Sequence, residues 1–337
     1  MSLAPTCPAA SGPVSTTERR LFLALLITAA AVLTGCLIYA VERYAAQPRR
    51  RFMESPAEVM MRALGVGHFL VGWIFLFTSP RLRTARAASS LLGWTALAAL
   101  ACVLYGQAGG AKQPLALFGF YTLFLIHEAR DEYTLARAAG DIPAGSRFGS
   151  ALFHAVTAWL IAILAATYLL RGAILDPARL PALPRGILAA GWTMSVLVAA
   201  ALTWRAARVG TRDHGGWRAA LRAHAPLVAV YRALLVLLVA GSFFGSIGFN
   251  LIILLHVGVW MAFMTQRLAV DGRDTRSWLR RPAGFLALHL GIAAVLLVLL
   301  ALRVHVWERA GWFNQLLSAT SFPYWSLMHI GMSFAKR

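Results

Sequence analysis

The stretch Leu123–Tyr133, LFLIHEARDEY, ends an apolar run with one histidine and three carboxylates, in a 337-residue chain that holds only 13 acidic residues. At the four-residue helical step His127 aligns with Asp131, and Glu128 with Glu132. An imidazole and a carboxylate so spaced suit a hard or borderline metal ion, or the passage of a proton. Glu128, Asp131 and Glu132 are therefore the candidate catalytic residues.

Four further histidines lie inside apolar runs: His68 in GVGHFLVGW, His154 in FGSALFH, His256 in IGFNLIILLH and His289 in PAGFLALH. Counting helical rise from the ends of those runs places His68 and His256 near mid-membrane. His154, His289 and His127 fall nearer one face. Histidine in hydrocarbon is costly unless it faces other helices and finds a partner, so His68, His127, His154, His256 and His289 form the candidate metal-ligand set.

Three chemistries suit such a set. Histidines on different helices can be axial ligands of haem b, with His68 and His256 as the pair. Gly65, Gly67 and Gly72 would then leave room for a flat macrocycle, and Arg232 could hold a propionate. The same histidines with the carboxylates of HEARDE can hold non-haem iron, with open positions for oxygen chemistry on a lipid, isoprenoid or quinone. A proton relay in a transporter uses the same groups. A membrane lipid transferase is a further alternative, resting on Asn250, His256 and the basic Arg205–Arg222 segment. The clustered HxxxH and HxxHH boxes of membrane desaturases are absent. So are a P-loop, a dinucleotide fingerprint, a Gly-x-Ser-x-Gly elbow and cysteine pairs. A histidine in a membrane helix also serves as plain interhelical glue, on the order of 0.6 kcal/mol.

The elements that must position these residues follow from composition. With 59% apolar residues, 13% charged and a mean hydropathy of +0.66, too few charges exist to cover a soluble surface. The net charge of +19 is almost all arginine lying between apolar runs, and no nucleic-acid motif accompanies it. Lipid bilayer, not nucleic acid, is the partner this charge pattern implies.

Runs near 21–41, 58–78, 87–106, 114–133, 148–170, 186–204, 226–244, 248–267 and 283–302 predict nine membrane-spanning helices. GWFNQLLSATSFPYWSLMHIGMSF adds a tenth crossing or an amphipathic or re-entrant segment. The fold class is an all-α polytopic bundle. Its parts are an N-terminal tail over 1–20, a transmembrane bundle over 21–302 and the C-terminal segment over 303–337. LTGC at 33–36 has the form of a lipobox, but the apolar run continues through LIYAV, so the first run reads as an uncleaved span.

Arginines fall more heavily on the loops that share a side with Arg19 and Arg20. This predicts a cytoplasmic N-terminus in a cell inner membrane, with Arg49, Arg50 and Arg51 on the disfavoured side. FGFYTLFLIH and IGFNLIILLH match in Gly-Phe and histidine, and the runs after them each carry a histidine, suggesting two parallel four-helix units after a leading helix. From Pro114 to Ile126 there are only 13 apolar-run residues, roughly 20 Å of helix against a roughly 30 Å core, so the polar HEARDE segment must enter the membrane or the outer end must help.

Overall fold

A computed structural model describes residues 15–45, 55–77, 84–108, 113–170, 182–244, 246–271, 278, 281–306, 318 and 321–334. Among them every regular element is helical. The helices are α1 (Thr16–Ala45), α2 (Pro56–Phe77), α3 (Ala85–Gln107), α4 (Gln113–Ala138), α5 (Arg147–Leu170), α6 (Ala182–His214), α7 (Trp217–Ala223), α8 (Ala225–Phe244), α9 (Ser246–Asp271), α10 (Pro282–Val306) and α11 (Phe322–Phe334). Eight of the described helices, all but α4, α7 and α11, are long and apolar enough to cross a membrane. The chain is thus a helical, multi-pass membrane bundle.

Local sequence explains where several helices start. Ser15 and Glu18 form a capping box on α1: the Glu18 N–H donates to Ser15 Oγ at 3.1 Å and the Ser15 N–H to Glu18 Oε2 at 3.2 Å. Ser55 and Glu58 repeat the device on α2, with Pro56 at the first helical position. Ser146 caps α5, accepting the Gly149 N–H at 3.0 Å. The turn before it needs Gly140 and Gly145, at φ 80° and 77°.

Burial sorts the bundle into a centre and a rim. α2 and α9 are largely enclosed, whereas α3 and α6 turn most of their surface outward to lipid. Close contacts use small residues: a Cβ on Gly258 would come within 2.9 Å of the Ala24 carbonyl of α1, and one on Gly331 within 2.6 Å of Ala98 Cβ of α3. α11 is thereby drawn into the interior between α2, α3 and α4. At 13 residues it is too short to cross the hydrocarbon.

Several sequence expectations take a definite place. α4 has spanning length, 26 residues, but its charged second half keeps it out of the clearly apolar set. Helix begins at Thr16, so the last residues of the expected 1–20 tail belong to the bundle, and Arg20 is buried. α1 runs without a break past Cys36, which is exposed. The Arg49–Arg51 run lies outside the described residues.

Candidate metal centre

Four histidines from four helices meet in the centre of the bundle. Ring centroids of His68 (α2) and His256 (α9) lie 5.3 Å apart, and those of His127 (α4) and His256 5.1 Å apart. His329 (α11) stands 4.6 Å from His68 and 5.6 Å from His127. All four rings are buried. They carry two groups whose ligand atoms lie within 4.8 Å of one another: His68, His256 and His329, and His127, Asp131 and His256. His256 belongs to both.

Surrounding groups orient these rings. The Ser333 hydroxyl donates to the Ile330 carbonyl at 2.7 Å, so its oxygen accepts the His127 Nδ1–H at 3.1 Å. The other ring nitrogen, His127 Nε2, lies 3.7 Å from Asp131 Oδ2, one helical turn on. Glu128 Oε2 lies against His256 Nδ1, and the His256 Nε2 atom has no hydrogen-bond partner among the described residues. A carboxylate on one imidazole nitrogen with the other nitrogen open is how metal-binding histidines are commonly held. His68 and His329 face each other through Nε2 atoms at 3.2 Å.

Charge is unevenly distributed. Glu128 and Glu132 are fully enclosed, and the buried Arg20 guanidinium reaches Glu132 at 3.2 Å; a second buried arginine, Arg62, lies on α2. Asp131, about a third exposed at its side chain, adds a further carboxylate at the edge. Buried carboxylates hold a place in the bundle only with a cationic or hydrogen-bonding partner, which Arg20 gives Glu132 and the His256 ring gives Glu128. Tyr231 of α8 steadies the α4 backbone by donating to the Ala129 carbonyl at 3.1 Å.

The remaining sequence candidates divide. His289 is fully buried, with its ring 6.3 Å from His68 and 5.9 Å from Trp260, and neither ring nitrogen has a hydrogen-bond partner among the described residues. It adjoins the centre without joining either ligand group. His154 is exposed on α5, where its Nδ1–H donates to the Ser150 carbonyl of its own helix at 2.7 Å. Arg232 is exposed on α8. The glycines expected to leave room for a macrocycle face filled space: a Cβ on Gly65 would meet the Phe322 ring at 3.0 Å, and one on Gly72 would meet His329 at 3.6 Å.

The internal repeat is half expressed. His127 and His256, its first matched pair, meet in the centre, whereas His154 faces outward and its counterpart His289 is enclosed. His329, Ser333 and Arg20 were not singled out by sequence as site residues. The signal for His329 was a histidine between Ser326 and Ser333 on a short apolar segment, masked by the polar residues that precede it. Comparison with family models, curated proteins and solved structures finds no match to this chain.

Proposed function

We propose that this chain is a membrane oxidoreductase dependent on non-haem iron, acting on a lipid-phase substrate such as a lipid, isoprenoid or quinone. One observation carries the reading: His127, Asp131 and His256 offer two imidazoles and one carboxylate within 4.8 Å, with both imidazoles buried and the carboxylate at the edge. Two histidines and one carboxylate on one face are the ligand set of iron(II) sites that keep positions open for dioxygen and substrate. His68 and His329 stand beside that triad as further nitrogen ligands, and Glu128 orients His256. Phe322 and His329 against Gly65 and Gly72 favour a bare ion over haem b at this position. In this reading α4 is a ninth crossing whose polar half is sheltered by α8, α9 and α11. α11 is a re-entrant segment, and the N-terminus faces the cytoplasm of a cell whose inner membrane holds the protein.

The test is metal analysis and absorption spectroscopy of protein purified without chelator, followed by oxygen uptake in vesicles of total membrane lipid containing a quinol. The expected result is stoichiometric iron, no Soret band, and oxygen uptake that the H256A variant lacks. No transition metal at stoichiometric level, or a Soret band, would overturn the iron site; bound iron without oxygen uptake would overturn the oxidoreductase reading.

A proton-coupled transporter is the second reading. It is favoured by the contiguous string from His329 and His68 through His256 to Glu128, with Asp131 at the solvent-reaching end. It requires E128Q to abolish pH-dependent transport in proteoliposomes prepared without metal.

A further inference from the structure

A second polar feature lies apart from the histidine centre, at the end of the bundle where α4 runs into α5. A cavity of about 500 Å³ opens there between α4, α5 and α6, lined by Tyr133, Ser146, Arg147, Ser150, His154 and Arg205 among others. No carboxylate lines it, and among the described residues neither Arg147 nor Arg205 has an acidic partner. Both guanidiniums are exposed and reach a hollow of small-ligand size.

The position follows from helix packing. Trp159 Nε1–H of α5 donates to Thr203 Oγ1 of α6 at 3.0 Å, which fixes the antiparallel alignment of the two helices. Arg147 opens α5, while His154 lies seven residues on, roughly 10 Å further along the helix, and Arg205 of α6 lines the same cavity. Arg147 and Arg205 therefore flank the cavity from two helices, with the exposed His154 ring also in the lining. The His154 Nδ1–H is committed to Ser150, leaving Nε2 as its second polar atom. Ser146 holds the first turn of α5 together at the rim.

We infer that this cavity binds a phosphate-bearing anion through Arg147, Arg205 and His154. A guanidinium presents parallel N–H donors that match phosphate oxygens, and a basic pocket between spanning helices at the membrane face is the form that phospholipid headgroup sites take. The phosphate can come from a lipid headgroup or from a soluble phosphoester. Depth along α5 suits the first, and the open mouth admits the second.

The experiment uses the full chain in detergent and in vesicles. Thermal unfolding is followed with added pyrophosphate, and native mass spectrometry counts retained phospholipid after exchange through phosphatidylglycerol or phosphatidylcholine vesicles. The variants are R147Q/R205Q and, as a control for general basic attraction, R218Q/R222Q on the exposed face of α7. Wild type and the α7 control should each hold phosphatidylglycerol, or be stabilised by pyrophosphate, at least tenfold better than R147Q/R205Q. Retention of the lipid alone identifies a headgroup site, and stabilisation by pyrophosphate alone a soluble phosphoester site. Equal losses in both double variants would overturn the inference, as would retention of phosphatidylcholine equal to phosphatidylglycerol or no response to either ligand. Should R147Q/R205Q fail to fold, H154A, at an exposed position, gives the same comparison.

Discussion

Arg20 of α1 and Glu132 of α4 pair at 3.2 Å in a place where each side chain is about 1% exposed, with the Phe263 ring of α9 5.9 Å from the guanidinium carbon. Removing one member of a buried pair strands the other charge, at about 3–5 kcal/mol, while replacing both with apolar residues is close to neutral. R20M and E132L should each lower stability by about that amount in denaturant titrations of the detergent-solubilised protein, and R20M/E132L should recover most of it. A double variant as unstable as the sum of the singles would show that the pair does not act as a unit.

Glu128 and His256 test whether the centre is a metal site with a supporting carboxylate. Loss of a carboxylate that holds a ligating histidine typically lowers metal affinity by about 10–100-fold. E128Q should weaken iron binding by about that factor in chelator competition, and H256A, which strikes both ligand groups, should abolish it. H154A should leave affinity unchanged, because His154 is exposed and bonded to its own helix. Since imidazole binds metal only when neutral, affinity in the wild type should fall as pH drops. Equal affinity in E128Q and wild type would remove Glu128 from the site.

The bundle was legible because apolar runs of spanning length are unambiguous, and the centre was half legible for a definite reason. Counting residues from the end of a run gives the depth of a side chain but not the direction in which it leaves the helix. His154 and His289 are equivalent by that measure, yet one faces outward and the other the interior. The i, i+4 step did fix a direction within α4, where His127 Nε2 and Asp131 Oδ2 stand 3.7 Å apart. Arg20 has the look of a topological charge in sequence because nothing local shows that a carboxylate 112 residues away will meet it. His329 escaped because α11 is shorter than a span, and a short helix enters a membrane interior only where tertiary partners such as Ala98 shelter it.

Asp141 caps α1 from a distant loop. Its Oδ2 accepts the Thr17 N–H at 2.7 Å and the Thr16 hydroxyl at 2.9 Å, satisfying donors at the helix start and tying α1 to the α4–α5 turn. D141A should cost about 1 kcal/mol, the usual worth of a capping side chain. The loss should appear in denaturant titrations, and metal content should stay unchanged because Asp141 is outside both ligand groups. A fall in metal content with D141A would show that the start of α1 is coupled to the centre.

His224, in the short connection between α7 and α8, carries a pH dependence whose sign can be worked out. Its Nδ1–H donates to the Ala220 carbonyl at 3.1 Å, and its Nε2 accepts from the Ser146 hydroxyl at 2.7 Å, an arrangement that suits the neutral ring. Burial lowers its pKa, opposed by the Ala220 hydrogen bond and aided by the neighbouring His214 of α6, whose ring lies 5.4 Å away. Above the ordinary histidine value of about 6.5 the ring is neutral in folded and unfolded chains, and its contribution is complete. As pH falls through that value the unfolded chain takes up a proton that the folded chain refuses, so stability drops until the lowered folded pKa is reached. H224Q should therefore lose less stability than wild type between pH 7.5 and pH 5.5, measured as denaturant midpoints at each pH. Identical slopes in the two proteins would mean that His224 is free to protonate in the fold.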